Sequence, residues 1–257
     1  MKGQTPKGVR DLLPEEMAKQ ARVIGKIRQI FEAQGYQRIA TPTFELYDVL
    51  KIGLTPKLQE KTFKFLDKSG RLMALRPDMT TPIARVVATQ MKNVKGPIRL
   101  YYSDNVYRQQ KLEAGQDNQF YQLGVELIGA SGKNADEEII KICRKALEIV
   151  GLKDVRIDVT NVSKIKSMPL AKQEALASQN YVKFGRLPKK DELVEVDIDY
   201  YTGMVFECYV PQLGYPLGVG GRYDNLLGKY GKKMPAVGFA LGLGRILLAL
   251  DLQKKNN

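Results

Sequence analysis

The first segment that could do chemistry lies where a predicted strand enters a predicted helix, at residues 75–80. Pro77 presets the first helical turn, so Asp78 and Thr80 stand beside backbone N–H groups that have no intrahelical partner. Two interpretations stay open. Either Asp78 caps the helix, which is the ordinary role of aspartate at this position, or Asp78 and Thr80 present polar atoms to a ligand.

The second segment is a predicted strand in which every second residue lies on one face. Gln122, Gly124 and Glu126 share that face, so an amide and a carboxylate flank a gap that glycine leaves. This arrangement suits an ammonium group and other hydrogen-bond donors. Arg108 ends the preceding predicted strand, and a polar loop over residues 109–118 joins the two strands.

Three later stretches also place an arginine or a carboxylate beside a predicted turn. They cover residues 197–207, which contain Tyr201, residues 218–224, which contain Tyr223, and the glycine-rich residues 236–245. None of these segments is by itself specific for one kind of chemistry, so the helices and strands that position them have to be considered as well.

Periodicity and turn residues predict those elements. Helices are predicted over residues 17–34, 80–91 and 135–150, and strands over residues 36–44, 62–66, 71–75, 99–108, 119–129, 155–159, 193–199 and 203–210. Residues 152–190 are interpreted as a shortened connector, a glycine-rich turn follows the last strand, and residues 234–250 form a strand-to-helix unit. Strands grouped in hairpins, without regularly alternating helices, predict an α+β fold with a mainly antiparallel sheet flanked by helices.

Histidine is absent from the 257 residues. Its absence excludes imidazole-based catalysis and nearly all zinc sites, so any proton transfer would fall to Asp, Glu, Lys, Tyr or the substrate. Cys143 and Cys208 lie in unrelated contexts without CxxC spacing, which indicates two buried thiols in a reduced, cytosolic protein. We expect no metal and no cofactor.

A net charge of +13 favours anionic partners such as nucleic acid, a nucleotide or an acidic protein surface. The basic residues are spread out, however, and their densest clusters are pairs such as Lys189-Lys190 and Lys232-Lys233, which argues against a dedicated nucleic-acid surface. The sequence shows no signal-peptide pattern and no uncharged apolar run of membrane-spanning length. It predicts a soluble, cytoplasmic protein that does not enter a membrane.

Taken in order, the segments resemble the catalytic core of histidyl-tRNA synthetase, a class II aminoacyl-tRNA synthetase. Residues 6–14 resemble that family's N-terminal signature, and residues 35–42 its first motif, which builds the dimer interface. Residues 76–80 and 107–108 resemble the second motif. Residues 199–203 and 220–224 resemble the histidine-specific segments, and residues 238–245 resemble the third motif. The resemblance implies a class II synthetase-like core, a single domain over residues 1–257, and a homodimer formed around residues 36–42.

Several positions depart from the synthetase pattern. Val196 stands where the synthetase carries an arginine, and an aliphatic side chain cannot stabilise charge that develops on phosphoryl oxygens. Asp197 stands where a glycine is usual, residues 109–111 lack a second arginine, and Gly244 replaces the acid of the third motif. Only 12 residues follow Arg245 in the 257-residue sequence, too few for the synthetase's anticodon-binding domain, so we expect none.

A synthetase-like core that keeps an amino-acid pocket but lacks these groups resembles the regulatory-subunit family of ATP phosphoribosyltransferase, the first enzyme of histidine biosynthesis. The resemblance implies a non-catalytic subunit that assembles with a short catalytic subunit, as a homodimer within a hetero-octamer, and carries feedback inhibition by free histidine. Two alternatives stay open. One is a residual class II enzyme of the histidyl-adenylate type, supported by Arg108 and Arg245, and the other is an RNA-binding module, supported by charge alone.

The resemblance also implies where histidine would bind. The implied residues are Asp78, Thr80, Arg108, Gln122, Glu126, Tyr201 and Tyr223. The carboxylates and the amide would accept hydrogen bonds from the α-ammonium group, the threonine would add a hydroxyl, the arginine would pair with the ligand carboxylate, and the tyrosines would flank the imidazole. A vestigial pocket kept for packing, or an effector site at the partner interface, are the other interpretations.

Overall fold

The computed structural model describes residues 3–110, 117–167 and 201–255. The strands within these ranges are β1 (Gln37–Arg38), β2 (Phe44–Leu46), β3 (Lys64–Leu66), β4 (Leu72–Leu75), β5 (Ile98–Tyr107), β6 (Gln119–Ile128), β7 (Arg156–Asn161), β8 (Met204–Tyr209), β9 (Gly218–Arg222) and β10 (Ala236–Gly242). Seven strands form one sheet in the order β1-β5-β6-β10-β9-β8-β7, and the others form a small sheet in the order β2-β4-β3. Among these described strands only the β1–β5 pair is parallel. The predicted α+β class is confirmed.

Helices cover both faces of the large sheet. The helices in the described ranges are α1 (Pro14–Ala33), α2 (Tyr47–Leu50), α3 (Pro56–Glu60), α4 (Thr80–Thr89), α5 (Lys133–Glu148), α6 (Val162–Lys166) and α7 (Leu243–Lys255), with a 3₁₀ turn at Leu227–Tyr230. Helices α1, α5 and α7 pack with β6 into one core, and α4 packs into a second core on the other face. The four longest helices were predicted. The three short helices, α2, α3 and α6, have only four or five residues each and were missed because they are too short to show a helical period.

The first helix shows why the sequence folds this way locally. Pro14 begins α1, where a missing N–H removes no intrahelical bond, and two glutamates in the first turn face the positive end of the helix dipole. Val23, Ile27 and Phe31 recur every four residues and are buried. Gly35, at a φ of +78°, reverses the chain after the helix.

The hairpin of β5 and β6 is the central support of the sheet. It pairs ten residues of each strand, from Ile98 opposite Ile128 to Tyr107 opposite Gln119. Leu123 and its odd-numbered neighbours on β6 enter the core beneath α1 and α5. The even-numbered residues of β6 therefore face the other side, as the alternation predicted.

The predicted strand over residues 36–44 was wrong in its middle. Only β1 and the start of β2 lie in this range, because the intervening Thr41 and Thr43 direct their carbonyl groups to a buried arginine. The Arg76 guanidinium donates to the Thr41 carbonyl (2.6 Å), and the Arg76 N–H donates to the Thr43 carbonyl (3.0 Å). Pro42 has no N–H to offer a neighbouring strand.

The predicted glycine-rich turn was also wrong, because residues 218–222 form β9 in the interior of the large sheet. A Cβ atom at Gly220 would stand 2.4 Å from the Phe206 ring of β8, so glycine makes room for an aromatic neighbour. In the predicted connector, β7 is present as expected and α6 was not anticipated. The rest of the connector, the predicted strand 193–199, Val196 and Asp197 lie outside the described residues.

The two cysteines are buried, as predicted, but they are not in unrelated places. Cys143 of α5 and Cys208 of β8 bring their Sγ atoms to 3.2 Å with both thiols free. A disulfide would need an Sγ–Sγ separation of about 2 Å. The two residues are therefore thiols, and their side chains contact each other where α5 packs against the sheet.

Candidate functional site

One cavity of about 660 Å³ opens on the face of the large sheet that carries the even-numbered residues of β6. All seven residues that the sequence suggested for a ligand pocket line it: Asp78, Thr80, Arg108, Gln122, Glu126, Tyr201 and Tyr223. They come from segments up to 145 positions apart in the chain (223 − 78), and the β5–β6–β10–β9 order of the sheet brings these segments together.

Glu126 lies at the buried end of the cavity. Its Oε1 accepts a hydrogen bond from the Thr80 hydroxyl (2.7 Å), and its Oε2 accepts one from the Tyr223 hydroxyl. Burial raises the pKa of Glu126 to about 8, although the two hydroxyl donors lower it. Gly238, its cross-strand neighbour, leaves the necessary room, because a Cβ there would stand 1.9 Å from Oε2.

Asp78 is both a helix cap and a cavity residue. Its Oδ1 accepts from the backbone N–H of Thr81 (2.7 Å) and its Oδ2 from the Thr81 hydroxyl (3.0 Å), which confirms the capping interpretation. Burial raises the pKa of the Asp78 carboxyl, while the Thr81 hydrogen bonds and the Arg108 charge oppose that rise. Because a carboxylate has about four acceptor sites, capping leaves it able to accept a further donor.

Arg108 supplies positive charge to the same cavity. Its Nε donates to the Pro77 carbonyl oxygen (2.6 Å), and the guanidinium carbon lies 5.3 Å from the centre of the Phe120 ring. These contacts use one N–H and one face of the planar group, so the remaining donors can reach a ligand carboxylate. Gln122, only 8% exposed, makes no side-chain hydrogen bond within the described part of the chain and turns its amide to the cavity.

Tyr201 and Tyr223 form an aromatic wall. Both rings are buried, and burial raises the pKa of Tyr201 above its usual value, which keeps the phenol neutral. Their neighbour Arg222 faces away from this wall. Its guanidinium pairs with Asp136 at the start of α5 and with Asp224 (3.1 Å), so it fixes the end of β9.

Sequence reasoning missed two parts of the site. The N-terminal lead-in contributes Arg10 to the cavity wall, because Asn118 donates its amide N–H to the Lys7 carbonyl (3.0 Å) and holds the lead-in against β6. No local sequence pattern around Arg10 predicts this contact. The predicted gap at Gly124 is not open, because the Tyr102 hydroxyl lies 2.4 Å from the place where a Cβ would stand.

The cavity therefore combines buried acceptors, arginine side chains, a buried amide and aromatic walls, which together suit a zwitterionic amino acid. Within the described ranges, no group of three or more cysteine or acidic side chains is arranged to hold a metal ion. Among the helices that the structure describes, none has the length and apolar character needed to cross a bilayer.

Comparison with known proteins places this geometry in a family. The sequence profile of the family described as histidyl-tRNA synthetase matches residues 8–194 and 190–246. The ATP phosphoribosyltransferase regulatory subunit of Moorella thermoacetica is 36% identical, over 96% of this chain and 82% of that protein. The histidine–tRNA ligase of Methanocaldococcus jannaschii is 32% identical, over 96% of this chain and 76% of that protein.

A solved structure agrees with the sequence relatives. The crystal structure of an ATP phosphoribosyltransferase regulatory subunit/histidyl-tRNA synthetase from Bacillus halodurans superimposes with a TM-score of 0.85 at 29% identity. It covers 97% of this chain and 83% of that one. The chain belongs to the histidyl-tRNA synthetase family and, as the sequence predicted, to its branch of ATP phosphoribosyltransferase regulatory subunits.

Proposed function

We propose that this protein is the non-catalytic regulatory subunit of ATP phosphoribosyltransferase in histidine biosynthesis, and that its cavity binds free histidine as the feedback effector. The observation that carries the proposal is the hydrogen-bonded, buried carboxyl group of Glu126 in the same cavity as Arg108. An acceptor and a cation within one cavity match the two charged groups of an amino acid.

The ligand's α-ammonium group would be held by Glu126, Asp78 and the Gln122 amide oxygen. Glu126 already has two hydroxyl donors, yet once it loses its proton beside the ammonium, the carboxylate has about four acceptor sites, so room for the ammonium remains. The ligand carboxylate would pair with Arg108, whose planar fork suits a carboxylate. The imidazole would lie against Tyr201 and Tyr223.

The partner in this proposal is the short catalytic subunit, in a cytoplasmic hetero-octamer built on a homodimer of this chain. The homodimer would form around residues 36–42, where β1 is the edge strand of the large sheet and only two residues long. An edge strand has unpaired N–H and carbonyl groups on one side, which is where a second chain can add.

Reconstitution tests the proposed role. The short catalytic subunit would be assayed for phosphoribosyl transfer alone and with this protein, while histidine binding to the assembled complex is measured by calorimetry. We expect activity that depends on this protein and a single class of histidine sites. A catalytic subunit that is fully active alone and unaffected by this protein would overturn the proposal.

The second candidate is a residual enzyme that forms a histidyl-adenylate. It is favoured by one observation, that Arg245 lines the same cavity as Arg108 and offers a second cation for a nucleotide phosphate. Gly244 weighs against it, because the third-motif acid is missing beside that arginine. Pyrophosphate exchange with histidine and ATP separates the two functions, since measurable exchange would support the enzyme and exclude a purely regulatory subunit.

A further inference from the structure

Arg76, the residue that follows β4, carries a charge that is almost completely enclosed, with 1% of its side chain exposed. All three nitrogens of its guanidinium have an acceptor. Nε donates to the Asn105 carbonyl (2.8 Å), Nη1 donates to the Thr41 carbonyl (2.6 Å), and Nη2 pairs with Asp104 Oδ1 (2.6 Å). A planar fork satisfies three separate acceptors and the single nitrogen of a lysine does not, so these contacts depend on arginine.

The backbone of Arg76 is held by the same two segments as its side chain. Its N–H donates to the Thr43 carbonyl (3.0 Å), and its carbonyl accepts from the Tyr107 N–H (3.0 Å). Residue 76 is therefore fixed between residues 41–43, which precede β2, and the end of β5. Pro77 comes next, and because its ring restricts φ to roughly −65°, the placement of Arg76 limits where the Pro77 carbonyl points.

The Pro77 carbonyl holds the side chain of Arg108 at the cavity wall. The Arg108 Nε donates to it at 2.6 Å, and within the described residues this is the one hydrogen bond of that side chain. The guanidinium carbon also lies 5.3 Å from the centre of the Phe120 ring, a contact that is less directional than a hydrogen bond. The position of the Arg108 guanidinium thus depends on Pro77, and through Pro77 on Arg76.

The acceptors of the proposed ammonium site have other supports. Asp78 accepts from the backbone N–H and the hydroxyl of Thr81. Glu126 accepts from the Thr80 hydroxyl on a different side of the cavity. None of these hydrogen bonds involves Arg76, so loosening Arg76 should displace the cation of the site and leave its acceptors in place.

We propose that Arg76 is a positioning residue for the ligand's carboxylate group: it clamps Pro77 between residues 41–43 and β5, so that the Pro77 carbonyl aims Arg108 into the cavity. The inference rests on the proposed histidine site. It assigns a role to a residue that lies behind the cavity wall, and it separates recognition of the carboxylate from recognition of the ammonium group.

The test compares L-histidine with L-histidinol, which has a hydroxymethyl group in place of the carboxylate. Both ligands would be titrated by calorimetry into the assembled complex that carries Arg76→Lys, a substitution that keeps the charge and loses the fork. We expect L-histidine to bind about tenfold more weakly and L-histidinol to change less than about twofold, because only the carboxylate contact is lost. Equal weakening of both ligands would show a merely structural role and would overturn the inference, as would an unchanged affinity for L-histidine.

Arg85→Lys is the matched control. Arg85 of α4 forks onto the Glu45 carboxylate of β2 through two hydrogen bonds (2.7 and 2.8 Å), and both side chains are largely buried. In the described part of the chain, this guanidinium bonds to Glu45 and not to the backbone around Pro77. We expect the ratio of the two affinities to stay at its wild-type value. A ratio that changes as much as in Arg76→Lys would overturn the inference, since any buried arginine near β2 would then have the same effect.

The double variant Arg76→Lys with Arg108→Ala tests the route of the effect. Once the Arg108 side chain is absent, Arg76→Lys should cause no further loss of L-histidine affinity, because its effect passes through that side chain. Fully additive losses would contradict the inference.

Asp104→Ala keeps the proposal testable if Arg76→Lys fails to fold. Asp104 is 38% exposed, so water can replace its carboxylate, yet one of the three acceptors of the fork is lost. The affinity for L-histidine should fall about threefold while that for L-histidinol stays unchanged. Wild-type binding with an unmoved ratio in this variant would overturn the inference alone, whereas a wild-type complex that binds neither ligand would overturn the proposed function and the inference with it.

Discussion

The two ends of the cavity differ in what surrounds their charged groups. At one end Glu126 is buried and held by the hydroxyls of Thr80 and Tyr223, with Gly238 closely packed against it. At the other end Gly244 lies in the first turn of α7, where an added Cβ would meet nothing within 4 Å. The first end is a closed network of side chains, whereas the second is open.

This contrast separates recognition from activation. A site that recognises an amino acid needs fixed acceptors and donors at short range, which the Glu126 end provides. Activation of the amino acid also needs groups that stabilise charge on a nucleotide, and the Gly244 end lacks the acid of the third motif. The difference therefore agrees with a binding subunit that has kept the amino-acid end of a synthetase-like core.

The pH dependence of stability should show the largest effect at the closed end. Folding raises the pKa of Glu126 from 4.5 to about 8, so between these values the folded state binds more protons than the unfolded state. Stability should therefore fall as pH rises from about 5 to 8, by on the order of 2–4 kcal/mol. Chemical unfolding of the wild type and of Glu126→Gln at several pH values measures this. Equal slopes in the two proteins would contradict the account.

A pair of glycine-to-alanine variants compares the two ends directly. Gly238→Ala places a methyl group against Glu126 and should cost about 1–3 kcal/mol of stability together with most of the histidine affinity. Gly244→Ala enters open space in the first turn of α7 and should be neutral or stabilising by about 0.5–1 kcal/mol. Thermal unfolding and calorimetry measure both. Similar losses in the two variants would mean that the ends are packed alike.

A pair of arginine variants gives the smallest and most selective effect. Arg108 and Arg245 are well matched, because each donates to a proline carbonyl at 2.6 Å and lies 5.1–5.3 Å from an aromatic ring. Arg108→Ala should weaken histidine binding about tenfold, or about 1.4 kcal/mol, through loss of the carboxylate partner. Arg245→Ala should change it less than about twofold. The reverse order, measured by calorimetry, would place the ligand carboxylate at the α7 end.

The sequence predicted the long elements and the chemistry of the site, because both depend on local patterns. The alternation that put Gln122 and Glu126 on one face needed only the two-residue period of a strand. The glycine-rich β9 was missed because its reason is a neighbour far away in sequence, the Phe206 ring. The position of the Tyr102 ring was missed for the same reason, because no residue near Tyr102 in the sequence indicates that the ring would fill the space at Gly124.

The central claim, that the closed end senses histidine while the protein only regulates, is tested most directly by one inhibition curve. Phosphoribosyl transfer by the reconstituted complex would be measured against histidine concentration, with wild-type protein and with Glu126→Gln. We expect the variant to activate the catalytic subunit normally and to need roughly ten- to hundredfold more histidine for inhibition. Normal activation with an unchanged inhibition curve would show that histidine is sensed elsewhere and would contradict the account.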